Sequence, residues 1–484
     1  MATCNISSLL PYVPNATKPW NRTRAQHLYR RLTYGASPTT ITEALSQNPQ
    51  ELIDQLMDEA MAIAPTAAPS WAFKGKQEVE DEGLDFEETN QENLMEWRVR
   101  TVNDQSANGL QSLLTIFWHN HFVTQLSTYN CAHFVFEYYN MLQKHCLGNF
   151  KTFVNEIGLT SAMLMFLNGK DNKKNKPNEN YARELYELFT LGENNGYTHA
   201  DIVETSKALT GYNEGRYCEF VTYNPDTFNN AEKTIFGRTG NWNYNDVIDI
   251  LFDEKPLEIA QFIVAKLYRF FVSPSESENI INELAIDFAK DFEIAPLLRK
   301  LFKSEHFFDD NAIGTLIKSP YDINLNFLKT ISYELDDEKK LNLFWQSGAA
   351  GQSFYQPVDV AGWQGDYDWI NTSTLTARWS FNDNLTWQLW DSETGDREKF
   401  RSFAKEASNN SKDVYTVVKN IVDTLLPRGL NTESDYAIAT DIFMANVPEN
   451  YFTDGTWNLD FESVPWQVVL LLQHIFRSPE FQLK

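Results

Sequence analysis

Cysteine is scarce in this chain: Cys4, Cys131, Cys146 and Cys218 are the only four among 484 residues. None stands in a C-x-x-C pair, which excludes a zinc knuckle, a thioredoxin-like motif and a disulfide scaffold. Cys131 and Cys146 could pair if two helices fold back on each other, but free buried thiols are the expectation, because cysteine packs as a small hydrophobe. The redox compartment is left open.

Long apolar runs are missing as well. The longest, such as VPWQVVLLL near the end, fall well short of the roughly 20 residues of a membrane span. The opening MATCNISSLLPYVPN has neither the basic nor the apolar region of a secretory signal, so the expectation is a soluble chain, cytoplasmic as written. Positive charge is also in short supply, with 41 Lys plus Arg against 66 Asp plus Glu and a net charge of −25. Such a chain repels phosphate backbones, which argues against nucleic acid. GxSxG, GxGxxG, P-loop and HExxH motifs are all absent, removing the common serine-hydrolase, dinucleotide, nucleotide and zinc-protease readings.

Aromatic residues, at 14%, run along the whole length, as they do in one continuous packed body. Apolar residues recur at helical spacing in Leu110, Leu113, Leu114 and Phe117, in Phe134, Tyr138, Met141 and His145, in Ile202, Ser206 and Leu209, and in Leu257, Ala260, Val264 and Leu267. Gly148, Gly192 and Gly211 follow such segments as stops. The pattern predicts a mainly α fold, with helices near 108–122, 130–147, 179–191 and 199–210. Residues 64–93, 212–245 and 346–378 read as irregular segments, the first an acidic and Pro-rich surface excursion, the second a loop or short hairpin. The expected organisation is an N-terminal arm, 1–17, and one large helical domain, 18–484.

The stretch PNENYARELYELFTLG, residues 177–192, concentrates polar groups on a helix. At about 100° per residue Leu191 falls in the middle of the stripe formed by Asn180, Glu184 and Glu187, which predicts that this face is covered. Glu184 and Glu187, at i and i+3, would then be neighbouring, poorly solvated carboxylates suited to acid/base work or to holding a cation. The plainer reading is a surface helix with a Glu179–Arg183 pair and an Asn178 cap. Thr198-x-x-Asp201 reads as a capping box opening the next helix.

Phe117–Phe122, FWHNHF, places His121 on the apolar stripe and His119 on the opposite side if the helix continues through both. A shared metal then requires the helix to end before His119; otherwise His121 is a hydrogen-bonded core histidine. His133 and Glu137, at i and i+4, form a weaker candidate pair.

Taken together, HLYRRLTYGAS from His27, FWHNHF, NENYARELYELFTLG followed by YTHADIVETSKALTGY, KTIFG from Lys233, QPVDVAGW from Gln356, WINTSTLTAR and the final SPEF resemble the bacterial domain-of-unknown-function family 1800 from about residue 18 onwards. The resemblance implies one large family-specific domain and no settled reaction. It also implies export in many members and a frequent neighbour from family 1501 as a partner. Before the KTxxG motif the family often has His-Asp, where this chain has Phe228-Asn229. Polar residues inside the motifs, His27, Arg31, His119, His121, Asn180, Arg183, Glu184 and Glu187, are expected to form one buried network.

The lead expectation is a hydrolase or lyase. Glu184 and Glu187 would act as acid/base or cation-holding carboxylates, Arg183 and Arg31 would stabilise negative charge, and His119, His121 or His27 would move a proton. A divalent metal, if bound, would sit on Glu184, Glu187, His119 and His121. Asn180, Lys233, Trp363 and Trp369 would contact substrate. The alternative is a binding or assembly protein whose Trp363, Trp369, Trp379, Trp387 and Trp390 form a groove for a carbohydrate, another polymer or a protein partner.

Overall fold

Capping side chains and apolar stripes together set the helices. In the computed structural model, which describes residue 4 and residues 8–215, 217–391 and 396–484, Thr198 and Asp201 form the expected capping box, and Asn243 with Asp246, Ser319 with Asp322 and Thr432 with Asp435 repeat it. The helices anticipated from periodicity are Gly109–His121, Ala132–His145, Asn180–Glu184 continued by a π-turn, and His199–Ala208. Among the described residues the strands form two antiparallel pairs, Tyr212–Glu214 with Thr222–Tyr223 and Lys233–Ile235 with Arg238–Gly240. The fold is thus mainly α, and a single hydrophobic core runs from Leu9 to Phe481. No helix of the described residues is long and apolar enough to cross a membrane.

Three readings change. Residues 64–93 are not a surface excursion: they hold the helix Lys76–Asp81 and the start of Phe86–Ala107, and bury Trp71, Val79 and Phe86. In 346–378 the helices Asp337–Ala349 and Thr372–Asp391 invade both ends, leaving about twenty irregular residues around a 3-10 turn, Asp366–Trp369. Leu257 is exposed, while the rest of its expected stripe, Ala260, Val264 and Leu267, is buried along with Ile259 and Ile263. The described part of the arm docks: Tyr12 is buried, its N–H donating to the Lys303 carbonyl at 2.8 Å.

The helix Gly109–His121 lies at the centre, and every residue from Leu110 to His121 except Asn120 is buried. A helix surrounded in this way has no solvent side. His119, on the side opposite the apolar stripe, is 0% exposed.

The expectation of free thiols holds for Cys146 and Cys4 and fails for Cys131 and Cys218. Cys131, at the start of Ala132–His145, is bonded to Cys218 in the loop following Tyr212–Glu214, while Cys4 and Cys146 are free. Periodicity along one helix pair cannot reveal a partner 87 residues away.

Candidate functional site: a cleft beside the FWHNHF helix

The helix opened by Asn180 widens at Leu185–Thr190 into a π-turn. Leu191 N–H donates to the Tyr186 carbonyl at 2.8 Å, five residues back, and the Thr190 hydroxyl donates to Leu185 at 2.5 Å. The extra residue rotates all that follows, so Leu191 faces the core at 0% exposure. The π-turn thus accounts for Leu191, and the expected cover over the carboxylates is also present, with Glu184 9% exposed and the Glu187 side chain 22%. π-turns are frequent at functional sites.

The carbonyls at the end of this turn are claimed by two side chains from elsewhere. His121 Nε2 donates to the Phe189 carbonyl at 3.0 Å, and the Lys266 ammonium reaches the Leu188 carbonyl at 3.5 Å. Because Nε2 carries the proton, His121 Nδ1 is an acceptor, and Lys266 Nζ donates to it at 3.0 Å. Burial, then the Lys266 charge, hold His121 well below the usual histidine range, so it is neutral. Lys266 itself is pushed down to about 8 by burial, with Arg269 adding to the effect.

His121 and Lys266 form one wall of a cleft of about 500 Å³. Asn120, Trp363 and Trp369 form another, and Asp322 with Lys484 forms a third. Asn120 ties the QPVDVAGW loop to the helix by accepting from the Trp363 N–H at 2.6 Å and donating to its carbonyl at 2.9 Å. This approach requires Gly362, with φ +81° and a Cβ position only 2.3 Å from Asn120 Oδ1. The Trp363 indole stacks on the His119 ring at 5.2 Å, and His119 Nε2 accepts from the Tyr355 N–H at 3.1 Å.

A wider hollow of about 600 Å³ lies elsewhere, next to Tyr29 and Lys329. No histidine lines it, and its carboxylates, Glu59 and Glu334, are solvent-exposed.

The expected network is divided. Arg183 pairs with Glu187 at 3.2 Å and Glu179 at 3.3 Å, while Glu184 is 9% exposed and its carboxyl is raised by burial and then by Glu187. His27 donates to the Phe307 carbonyl at 3.0 Å and Arg31 to the Ala312 carbonyl at 2.7 Å, on another side of the core. Among the described residues no hydrogen bond or ion pair joins His27, Arg31 or His119 to Glu184 or Glu187. Asn180 N–H is capped by Asn178. Lys233 is buried in its hairpin, bonded to the Ala231 carbonyl and Asn241 and lying 5.0 Å over the Phe228 ring. Phe228 thus packs against the buried Lys233 of this hairpin. Trp363 and Trp369 do line the cleft, whereas Trp387 and Trp390 pack on Trp466 and Trp379 does not reach the cleft lining.

The donor set does not suit a metal. Both His121 nitrogens and His119 Nε2 are engaged, and among the described residues no three His, Cys, Asp or Glu side chains converge as ligands. His133 and Glu137 are likewise separate: Glu137 accepts from the Ser161 N–H at 2.8 Å.

A family model described as "Protein of unknown function (DUF1800)" matches residues 27–483. The chain belongs to that family. No curated protein and no solved structure matches it. The DUF1800 motifs FWHNHF, NENYARELYELFTLG and QPVDVAGW, far apart in sequence, meet at this one place, since His121 holds the π-turn and Asn120 holds Gly362–Trp363. Lys266, Asp322 and Lys484 were missed by sequence reasoning. Lys266 lies beside the apolar stripe of its helix and Asp322 reads as a capping-box acid, so neither carries a local signal of function.

One consequence is a pH dependence. Burial pushes His119 down to about 3, below its unfolded value near 6.5, so the unfolded chain binds this proton first on acidification. Its stabilising contribution is complete above pH 6.5 and falls by about 1.4 kcal/mol per pH unit below that. Urea unfolding of wild type and His119→Gln between pH 7 and pH 5 checks this: wild type should lose stability more steeply, and parallel curves would refute it.

Proposed function

We propose that the cleft beside FWHNHF is the site of an acid/base enzyme of hydrolase or lyase type, with Lys266 as its base. The observation that carries this is the Lys266 amine, lowered to about 8 in a cleft of about 500 Å³ and aimed by His121 Nδ1 at 3.0 Å. The volume lies within the range of small-molecule sites. An amine lowered to about 8 keeps a usable neutral, proton-accepting fraction near neutral pH, as burial achieves for catalytic lysines. Once protonated, Lys266 keeps His121 and the Leu188 carbonyl as acceptors. Asn120 orients the Trp363 wall, while Glu184 and Glu187 do not line the cleft. The tryptophan-groove alternative is weaker, because Trp387 and Trp390 lie on Trp466, not in the cleft.

Competitive acetylation of the folded protein, with site-resolved mass spectrometry from pH 6 to 11, tests the reading. Lys266 should reach half its limiting reactivity near pH 8, more than two units before solvent lysines. Titration together with the surface lysines would remove it as the base.

A further inference from the structure

Among the described residues two lysines line the cleft, and they are held in opposite ways. Lys484 is tied to the Asp322 carboxylate at 2.7 Å, with both side chains only 7% exposed. Lys266 has no carboxylate partner: its two acceptors, His121 Nδ1 and the Leu188 carbonyl, are neutral. The charge that acts on it is Arg269, which itself pairs with Glu276. The Phe262 ring centre lies 4.8 Å from the Lys266 nitrogen, and Ile116, Phe117 and Phe270 continue an apolar lining.

Two acceptors match the two N–H groups of a neutral amine, so the lone pair is the position that no protein donor claims. Lys266 is half-buried and lines the cleft, where a ligand meets this amine. Burial, which brings it to about 8, keeps about a tenth of it neutral at pH 7. A desolvated lysine of this kind is the side chain that condenses with carbonyl compounds. The iminium so formed retains one positive charge and one N–H, which His121 Nδ1 is placed to accept, so the surroundings of Lys266 fit the condensed form as well as the free one.

We propose that Lys266 is a covalent nucleophile, which condenses with an aldehyde or ketone held in the cleft to form an imine. The nitrogen lone pair bonds to the carbonyl carbon, the C=O π pair moves to oxygen, and a proton passes from nitrogen to that oxygen through solvent. The hydroxyl takes a second proton from solvent and leaves as water while the nitrogen pair closes C=N. Overall, the Lys266 ammonium and the carbonyl give an iminium and one water, with charge conserved. The iminium nitrogen then draws the electron pair of a bond breaking at the adjacent carbon, which is how a lysine serves a lyase. The proposal rests on the reading of Lys266 as a neutral amine in a small-molecule cleft and adds the substrate class: a carbonyl compound whose flat or apolar part lies against Trp363 and Trp369.

Trapping tests it. The whole protein is incubated at pH 7 with butanal or benzylacetone and sodium cyanoborohydride, which reduces an iminium to a stable secondary amine, and the alkylated lysines are mapped by mass spectrometry. Lys266 should react at least about tenfold faster than solvent lysines, since each unit of lowered pKa gives about ten times more neutral amine. Its rate should also saturate with benzylacetone, as binding in the cleft requires. Lys484, held by Asp322 in the same cleft, should stay unmodified. Alkylation spread evenly over the surface lysines overturns the imine, as does a rate at Lys266 that stays linear in both probes. The acetylation profile is read separately: half-reactivity near pH 8 without an adduct leaves Lys266 a base and removes the imine, whereas failure of both removes the cleft as the site.

Discussion

Replacing His121 with alanine is expected to destabilise the protein by about 3–5 kcal/mol. The side chain is buried among Phe117, Trp118, Phe122 and Phe189, so its loss opens a cavity in an aromatic cluster. It also removes the His121 donor from the Phe189 carbonyl and leaves Lys266 only the longer contact to the Leu188 carbonyl, at the cost of poorly satisfied buried groups. His119→Ala should cost about 2–4 kcal/mol, because it removes the acceptor of the Tyr355 N–H and the ring that stacks on Trp363. His199, with its side chain 70% exposed, is the control, and His199→Ala should stay within about 0.5 kcal/mol. Urea unfolding of the three variants checks the order. A His119→Ala protein as stable as His199→Ala would mean that the helix Gly109–His121 has a solvent face after all.

Loss of the Cys131–Cys218 bridge is the second large effect. It closes a loop spanning 87 residues and ties the segment after Tyr212–Glu214 to the start of the helix Ala132–His145. The chain-entropy argument gives about 4–5 kcal/mol for such a loop, and measured bridges typically contribute about 2–4 kcal/mol. The Cys131→Ser, Cys218→Ser double variant should therefore unfold at lower urea than wild type, and reductant should bring wild type down to the variant. Coincident curves in oxidising buffer would show that the two thiols are not joined. A bridge persists where thiols are kept oxidised, so the thiol state of the protein taken from its own cells also reports its compartment.

Much of the fold was legible in the sequence. Four helices follow from apolar residues three and four apart, and Thr198-x-x-Asp201 marks a helix start because its two side chains satisfy backbone donors within one turn. The motifs of the DUF1800 family were legible too, and three of them do meet. Their internal arrangement was not: the wheel for PNENYARELYELFTLG assumes a constant turn, and the π-turn at Leu185–Thr190 breaks that assumption just before Leu191.

By itself, then, the sequence determined what depends on neighbours a few positions apart: helix positions, their caps, the mainly α class and the lack of a membrane-spanning helix among the described residues. Tertiary structure alone decided which groups meet across the chain. Lys266 reaches His121 across 145 positions and Lys484 reaches Asp322 across 162. Burial, which neutralises His121 and brings Lys266 to about 8, is set by the elements packed around a side chain and not by its sequence neighbours. A lysine beside an apolar stripe reads the same whether it ends in water or in a cleft, and only packing tells the two apart.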